Sequence, residues 1–244
     1  MFAVMCRSLS QLWNAQAATQ ANACFEEAMS TLQDAYKVSD DSTLEGVKKG
    51  IRLLKEAVEH DSEHGLAHGQ LALSLMNSVS LQTVRARHSA TDTSLALPSG
   101  VLQGEGTPEE AIVHFQEGLR LSAVDDWGRP LLQMVYGDAL FLTGMLEEAA
   151  DTYLDCLELP TVQENDKPRI YLRSYLINVA MARTQEARAA FENLSHPMFE
   201  PMEALVEQLE KVTPEDRENP EIKEELAMIR TQSIDSFSKM FRNI

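Results

Sequence analysis

The run from Val135 to Leu159, VYGDALFLTGMLEEAADTYLDCLEL, contains small residues among residues that otherwise favour helix strongly. Glycine destabilises a helix interior, so its presence in such a run requires a structural reason. Gly144 predicts a break between two helices, Leu131 to Thr143 and Leu146 to Leu159, because glycine readily adopts the positive φ that ends a helix. The run is therefore predicted to form a helical hairpin.

Three further small residues indicate how the two helices meet. Gly137 lies in the first helix, and Ala149 and Cys156 lie on one face of the second helix. Small side chains at these positions allow the two backbones to approach closely. Larger side chains are expected to fill the space around that contact; they are Tyr136, Leu140, Tyr153 and Leu157.

The pattern of the second helix recurs earlier in the chain. Pro108 to Ser122 repeats it, and so does the segment KKGIRLLKEAVEHDS, which is followed by the first-helix pattern GLAHGQLALSLM. A two-helix unit cannot bury both of its faces, so copies are expected to stack on one another. The matching positions are Gly50, Leu54, Ala57, Val58, Leu71, Ala72, Leu75, Ala111, Phe115, Gly118 and Leu119.

With these repeats the chain resembles the tetratricopeptide repeat family over roughly residues 44–195. The resemblance implies an all-α fold, a right-handed superhelix of about three to four helical hairpins with a capping helix at the C-terminal end. Gln133 stands where the family usually has tryptophan. A degenerate copy is predicted in YLRSYLINVAMARTQEARAAFENL, where Ala187 and Phe191 fit the second helix and the turn is compressed.

Three parts are predicted along the chain: an N-terminal helical segment (1–43), the repeats (44–195) and a C-terminal helical cap (196–244). Within the repeats, residues 82–106 interrupt a hairpin where the family has only a few residues. Unpatterned loops of this length are usually functional or disordered. Two interpretations remain open for this segment: a disordered or loosely attached excursion, and a partner-binding loop.

Charge and motif content exclude several function classes. The net charge of −17 argues against a nucleic-acid surface, which needs clustered Lys and Arg. His60, His64 and His68 have a metal-like spacing, but the repeat register distributes them over two helices and a turn. The sequence lacks the common hydrolase, phosphate-loop and zinc-protease motifs. We expect no enzyme activity, no metal and no cofactor.

The cysteines and the N-terminal residues bear on the compartment. Cys6, Cys24 and Cys156 are odd in number and form no C-x-x-C pair, which fits a reducing compartment. No apolar run is long enough to span a bilayer. We expect a cytoplasmic protein. A mitochondrial or other organellar location is the alternative, because the chain begins with an acid-free segment.

The family resemblance implies a groove lined by the first helix of each repeat, which would hold a partner segment. Carried onto this chain, the proposed partner-binding residues are Met76, Leu131, Met134, Asp138, Phe141 and Leu142. In the co-chaperone branch of the family, a Lys and Asn clamp holds an acidic tail. Here Asp138 would repel a carboxylate, so that sub-function is disfavoured.

The function expected from these features is a non-catalytic adaptor or a structural subunit of a hetero-oligomeric assembly. Partners with apolar and basic segments would suit the apolar groove and its acidic flanks. The alternative is a targeting, import or chaperone-type factor that recognises basic amphipathic or hydrophobic client peptides.

Overall fold

A computed structural model describes residues 2–37, 42–89, 106–123, 126 and 128–194, and toward the C-terminus residues 207, 209–210, 212, 223–224 and 226–229. Within these ranges all regular secondary structure is helical, which confirms the predicted all-α class. The helices are α1 (Phe2–Lys37), α2 (Ser42–His60), α3 (Gly65–Ser89), α4 (Pro108–Leu121), α5 (Arg129–Leu142), α6 (Leu146–Leu157), α7 (Lys167–Ala180) and α8 (Thr184–Glu192).

The chain divides into two compact units, Met1–Ala123 and Val124–Ile244. The first unit contains two helical hairpins, α1 with α2 and α3 with α4, and the second contains α5 with α6 and α7 with α8. Helix α1, which we predicted as a separate N-terminal segment, packs along α2. The division between the units falls inside the range 44–195. The predicted cap, 196–244, lies mostly outside the described residues.

Burial agrees with the repeat register that the sequence predicts. Tyr153 and its counterpart Phe115 are completely buried, and so are the small residues one turn before each of them, Ala149 and Ala111. A Cβ atom added to Gly137 would lie 2.5 Å from Cε1 of Tyr153. The first helix of this hairpin therefore needs glycine, because the tyrosine ring occupies the space that a side chain would take.

The turns of the two hairpins in the second unit share one geometry. In the turn between α5 and α6, Met145 N donates to Leu140 O at 2.9 Å, and Gly144 has a φ of 82°. Between α7 and α8, Arg183 N donates to Asn178 O at 2.8 Å, and Ala182 has a φ of 54°. Both are Schellman motifs. The expectation that the second turn would be compressed is wrong, since Ala182 adopts the left-handed conformation that Gly144 adopts in the first.

Helix α3 extends further than the sequence indicates. It runs to Ser89, so the start of the predicted loop 82–106 is wrong and residues 82–89 are helical. Residues 90–105 of that loop lie outside the described residues. At its other end, Thr107 caps α4 by accepting a hydrogen bond from Glu110 N on its Oγ1 at 3.2 Å.

Helix length and polarity also bear on membrane crossing. In the part of the chain that the structure describes, no helix combines the length and the apolar character that a membrane span requires.

Candidate functional site

The six predicted partner-binding residues occupy different environments. Leu131 is 51% exposed, and Leu142 is half-buried. The other four are buried within their own units; they are Met76, Met134, Asp138 and Phe141. The accessible part of the predicted surface is thus formed by the two leucines at opposite ends of α5.

Asp138 lies in a buried polar cluster that joins three helices. Its Oδ1 accepts hydrogen bonds from the Tyr153 hydroxyl and from Arg173 Nε, both at 2.7 Å. Its Oδ2 accepts from Arg173 Nη2 at 3.1 Å. The three residues belong to α5, α6 and α7, so this cluster links the first hairpin of the unit to the next helix. We had expected Asp138 to face a partner, but the buried guanidinium of Arg173 holds it in the core.

The electrostatics of this cluster mark it as structural. Burial raises the pKa of Asp138, and the guanidinium of Arg173 opposes that effect. Burial also raises the pKa of Tyr153 well above its ordinary value. Cys156 lies nearby with its Sγ 3.4 Å from Pro130 O, and burial raises the pKa of its thiol to about 12. The thiol is therefore protonated at neutral pH, and the carboxylate is enclosed by hydrogen-bond donors.

The three histidines with metal-like spacing do not converge. His60 is exposed at the end of α2. Nε2 of His64 lies 3.1 Å from Oδ1 of Asn22, whereas Nδ1 of His68 lies 3.0 Å from Nδ1 of His114. Among the residues that the structure describes, no group of three or more His, Cys, Asp or Glu side chains is placed to hold a metal ion.

An open groove lies between α6, α7 and α8 and has a volume of about 230 Å³. Helix α6 contributes Leu154 and Leu157, and α7 contributes Tyr171, so much of the wall is apolar. Leu154 is 53% exposed. Polar side chains from α7 and α8 complete the lining; they include Ser174, Asn178, Arg183, Glu186 and Asn193.

Acidic side chains lie in and next to this groove: Glu186 is part of its lining, whereas Asp151 and Asp155 are neighbours of the lining residue Leu154 on α6. We call Asp151, Asp155 and Glu186 the acidic rim; the first two flank Leu154 on α6, and the third lies on α8. All three are exposed. Arg183, the basic residue in the lining, forms an ion pair with Glu147, which compensates its positive charge.

Sequence reasoning missed this groove. It assigned Leu157 to the contact inside the hairpin, whereas Leu157 is half-buried and lines the groove. The available signal was Leu154, an apolar residue at an outward position between Asp151 and Asp155. An apolar residue on the polar side of an amphipathic helix points to a contact outside that helix's own hairpin.

Comparison with known proteins adds no family assignment. No protein-family model matches the sequence, and no curated protein matches it. Two solved structures show a distant likeness. The crystal structure of MamA protein is 15% identical with a TM-score of 0.44, and the match covers 87% of this chain and 92% of that chain. The designed helical repeat protein DHR64 is 16% identical with a TM-score of 0.27, covering 95% of this chain and 100% of that chain. The helical-hairpin assignment therefore rests on the packing of this chain's own helices.

Proposed function

We propose that this chain is a non-catalytic protein-interaction protein of the tetratricopeptide type, an adaptor or a structural subunit of a larger assembly. The observation that carries the proposal is the exposure of large apolar side chains on helices whose hairpin contacts are already filled. Leu131 on α5 is 51% exposed, and Leu154 on α6 is 53% exposed. In contrast, Ala149 and Tyr153, which belong to the contact between α5 and α6, are completely buried.

Exposed leucines on a complete hairpin are not needed for its folding. Because apolar surface in water is unfavourable, large exposed apolar side chains of this kind favour a surface that another protein covers. The net charge of −17 favours a partner with basic segments, since opposite charges speed and orient association.

The absence of catalysis is part of this proposal. A buried acid and a buried base of the second unit, Asp138 and Arg173, satisfy each other at 2.7 Å and 3.1 Å in the core. A carboxylate that is already paired and shielded from solvent has no route to a reacting group. We infer that this cluster stabilises the unit and takes no part in chemistry.

The predicted partner-binding surface on α5 remains part of the proposal. Leu131 and Leu142 are the members of that set through which a partner would make contact, and Met134, Asp138 and Phe141 would support them from within the same unit. Met76 is buried on α3 of the first unit. Partners with apolar side chains next to Lys and Arg would suit such a surface on an acidic protein.

Copurification tests this function. A tagged chain expressed in its native cells should retain a second protein at fixed stoichiometry through washing, and Leu131→Ser should reduce the retained amount. Glu148→Ser, an exposed polar change in the same unit, is the matched control and should leave it unchanged. A chain that retains no protein at fixed ratio would contradict the adaptor role.

A targeting or chaperone-type role is the second candidate, and the acidic rim of the α6–α8 groove favours it, since basic amphipathic clients would be attracted there. The same experiment separates the two roles. Weak, exchangeable binding of many peptides supports the client-binding role, and one stoichiometric companion supports the adaptor.

A further inference from the structure

We propose that the groove between α6, α7 and α8 is a docking site for a basic amphipathic helix of a partner protein. One apolar side chain of that helix enters the groove beside Leu154, and its Lys and Arg side chains meet the acidic rim. This inference rests on the proposed protein-binding function and specifies the chemistry of the partner and the surface that receives it.

The shape of the groove determines what can enter it. Its volume of about 230 Å³ is too small for a whole helix, but it accommodates an anchoring side chain. Leu154, Leu157 and Tyr171 offer such a side chain apolar contacts on two sides. Interfaces commonly derive most of their affinity from a few anchors of this kind that fill pockets.

The charges around the groove select the sign of the partner. Asp151 and Asp155 on α6 and Glu186 on α8 form no ion pair with any residue that the structure describes. The nearby basic side chains are already occupied: Arg183 pairs with Glu147, and Lys167 pairs with Glu164. Uncompensated negative charge therefore remains on the α8 wall and beside Leu154 on α6, which favours a cationic partner and disfavours an anionic one.

A buried amide lies among the lining residues. Asn178 is 4% exposed, and its Nδ2 donates to Ser174 O at 2.8 Å and lies 3.4 Å from Ser174 Oγ. Its Oδ1 accepts no hydrogen bond from the described part of the chain. This oxygen is an available acceptor for a donor on the partner, which again favours Lys, Arg or amide side chains over carboxylates.

The surroundings also select the secondary structure of the partner. The walls are helices whose backbone groups are already bonded internally, so the site offers no strand edge to extend. A segment that docks there must satisfy its own backbone hydrogen bonds, as a helix does. An amphipathic helix places its anchor and its basic side chains on one face at spacings of three and four residues.

Fluorescence anisotropy with a defined probe tests this assignment. The probe is a fluorescein-labelled amphipathic peptide of about 18 residues, built from Leu and Lys with Leu at i, i+3, i+4 and i+7. We expect Leu154→Ser to weaken its binding about tenfold and Asp151→Lys/Asp155→Lys to weaken it by a similar factor. Raising the salt from about 50 mM to about 500 mM should reduce the effect of the charge reversal.

Matched controls make the result specific. Val113→Ser removes an apolar side chain of similar exposure from α4, in the other unit, and should leave probe affinity unchanged. A peptide of the same pattern with Glu in place of Lys should bind at least tenfold more weakly than the probe. Circular dichroism of each variant should match the wild-type spectrum, because both substituted regions are exposed.

Several results would overturn the docking site. These are no binding of the Lys probe, equal binding of the Lys and Glu peptides, or equal losses in the Leu154 and Val113 variants. Self-association of the wild type that Leu154→Ser abolishes would assign the groove to a second copy of the chain. If a stoichiometric companion is still retained by the Leu154→Ser variant, the groove is not its docking site, but the adaptor function stands. If the wild type retains no companion at all, the adaptor function itself is contradicted.

Discussion

Arg173 of α7 donates from Nε and Nη2 to both carboxylate oxygens of Asp138 of α5, at 2.7 Å and 3.1 Å, and the two side chains are 2% and 1% exposed. The pair connects a hairpin to the helix that follows it. A bidentate contact of this kind fixes both the distance and the rotation between two helices. It therefore determines how α7 sits against α5 within the second unit.

Removing one partner of this pair should destabilise the second unit strongly. Asp138→Ala leaves the guanidinium of Arg173 buried without its partner, a change that typically costs about 3–5 kcal/mol. Urea unfolding followed by circular dichroism measures the loss. A loss below about 1 kcal/mol would show that Arg173 reaches water easily when Asp138 is absent.

Replacing the whole cluster should cost much less than breaking it. In the triple variant Asp138→Leu/Tyr153→Phe/Arg173→Met, no polar group of the cluster is left without a partner, so desolvation is no longer penalised. We expect the triple variant to be more stable than Asp138→Ala by about 2 kcal/mol or more. If the triple variant is less stable than Asp138→Ala, the loss in the single variant does not arise from the unpaired guanidinium of Arg173.

The close contact of α5 with α6 should not tolerate a side chain at Gly137. Tyr153 cannot move aside easily, because its hydroxyl is bonded to Asp138. Gly137→Leu should therefore lower the free energy of unfolding by about 1–3 kcal/mol. Gly128→Leu is the matched control: an added Cβ there meets only Asp126 Oδ1 at 3.5 Å, so its effect should stay within about 0.5 kcal/mol. Equal melting temperatures for the two variants would reject the tight contact.

The paired turns predict opposite effects of exchanging Gly and Ala. Ala182 has a φ of 54° and Gly144 a φ of 82°, and an L side chain is disfavoured in that region. Ala182→Gly should raise stability and Gly144→Ala should lower it, each by about 1 kcal/mol. Nothing lies within 4 Å of a Cβ at Gly144, so the loss there reports backbone strain alone. A shift of the same sign in both variants would contradict the shared turn geometry.

Acid should weaken the first unit through the contact between α3 and α4. His68 Nε2 lies 3.1 Å from Ser62 O and donates to it, so His68 Nδ1 accepts from His114 Nδ1 at 3.0 Å. Burial is the largest effect that lowers the pKa of His114. The charges of His68 and Lys55 lower it further, and the charge of Glu110 raises it. Because the unfolded chain binds this proton more readily, stability should fall as pH drops below the ordinary value of 6.5.

Urea midpoints between about pH 7.5 and about pH 5.5 measure this effect, a window that avoids most carboxyl titration. His114→Gln should flatten the pH dependence, and the exposed His60→Gln serves as the control that keeps it. A pH dependence that His114→Gln leaves unchanged would assign the effect to other groups.

The repeat register was predictable from sequence because close helix packing leaves a signature. Small residues are required wherever two backbones approach, and the large ones must follow at helical spacing, so Ala111 with Phe115 and Ala149 with Tyr153 are recognisable without coordinates. The conformation of the turn at Ala182 was harder to predict from sequence. Alanine does not favour positive φ by itself, so the left-handed conformation of Ala182 has no local signal in the sequence, whereas glycine at position 144 indicates the same conformation directly.

The burial of Asp138 was not predictable from the local sequence pattern. Its position on the first helix suggested a groove, and its charge suggested solvent, but the partner that buries it lies on a different helix far along the chain. No periodicity within α5 reports a long-range ion pair with Arg173. The α6–α8 groove was not predicted for a similar reason, since it forms only when three helices pack together. Only Leu154, between two aspartates, gave a local sign of it.

The most direct test of the central claim, that this chain works by holding another protein, is the mass of the native particle. Light scattering on the protein purified from its own cells, without cross-linking, should give a mass well above that of the single chain, and mass spectrometry should find a second protein at fixed ratio. Recombinant chain alone should give the mass of the chain or of copies of it. A native particle of that same mass, with no companion, would contradict the account.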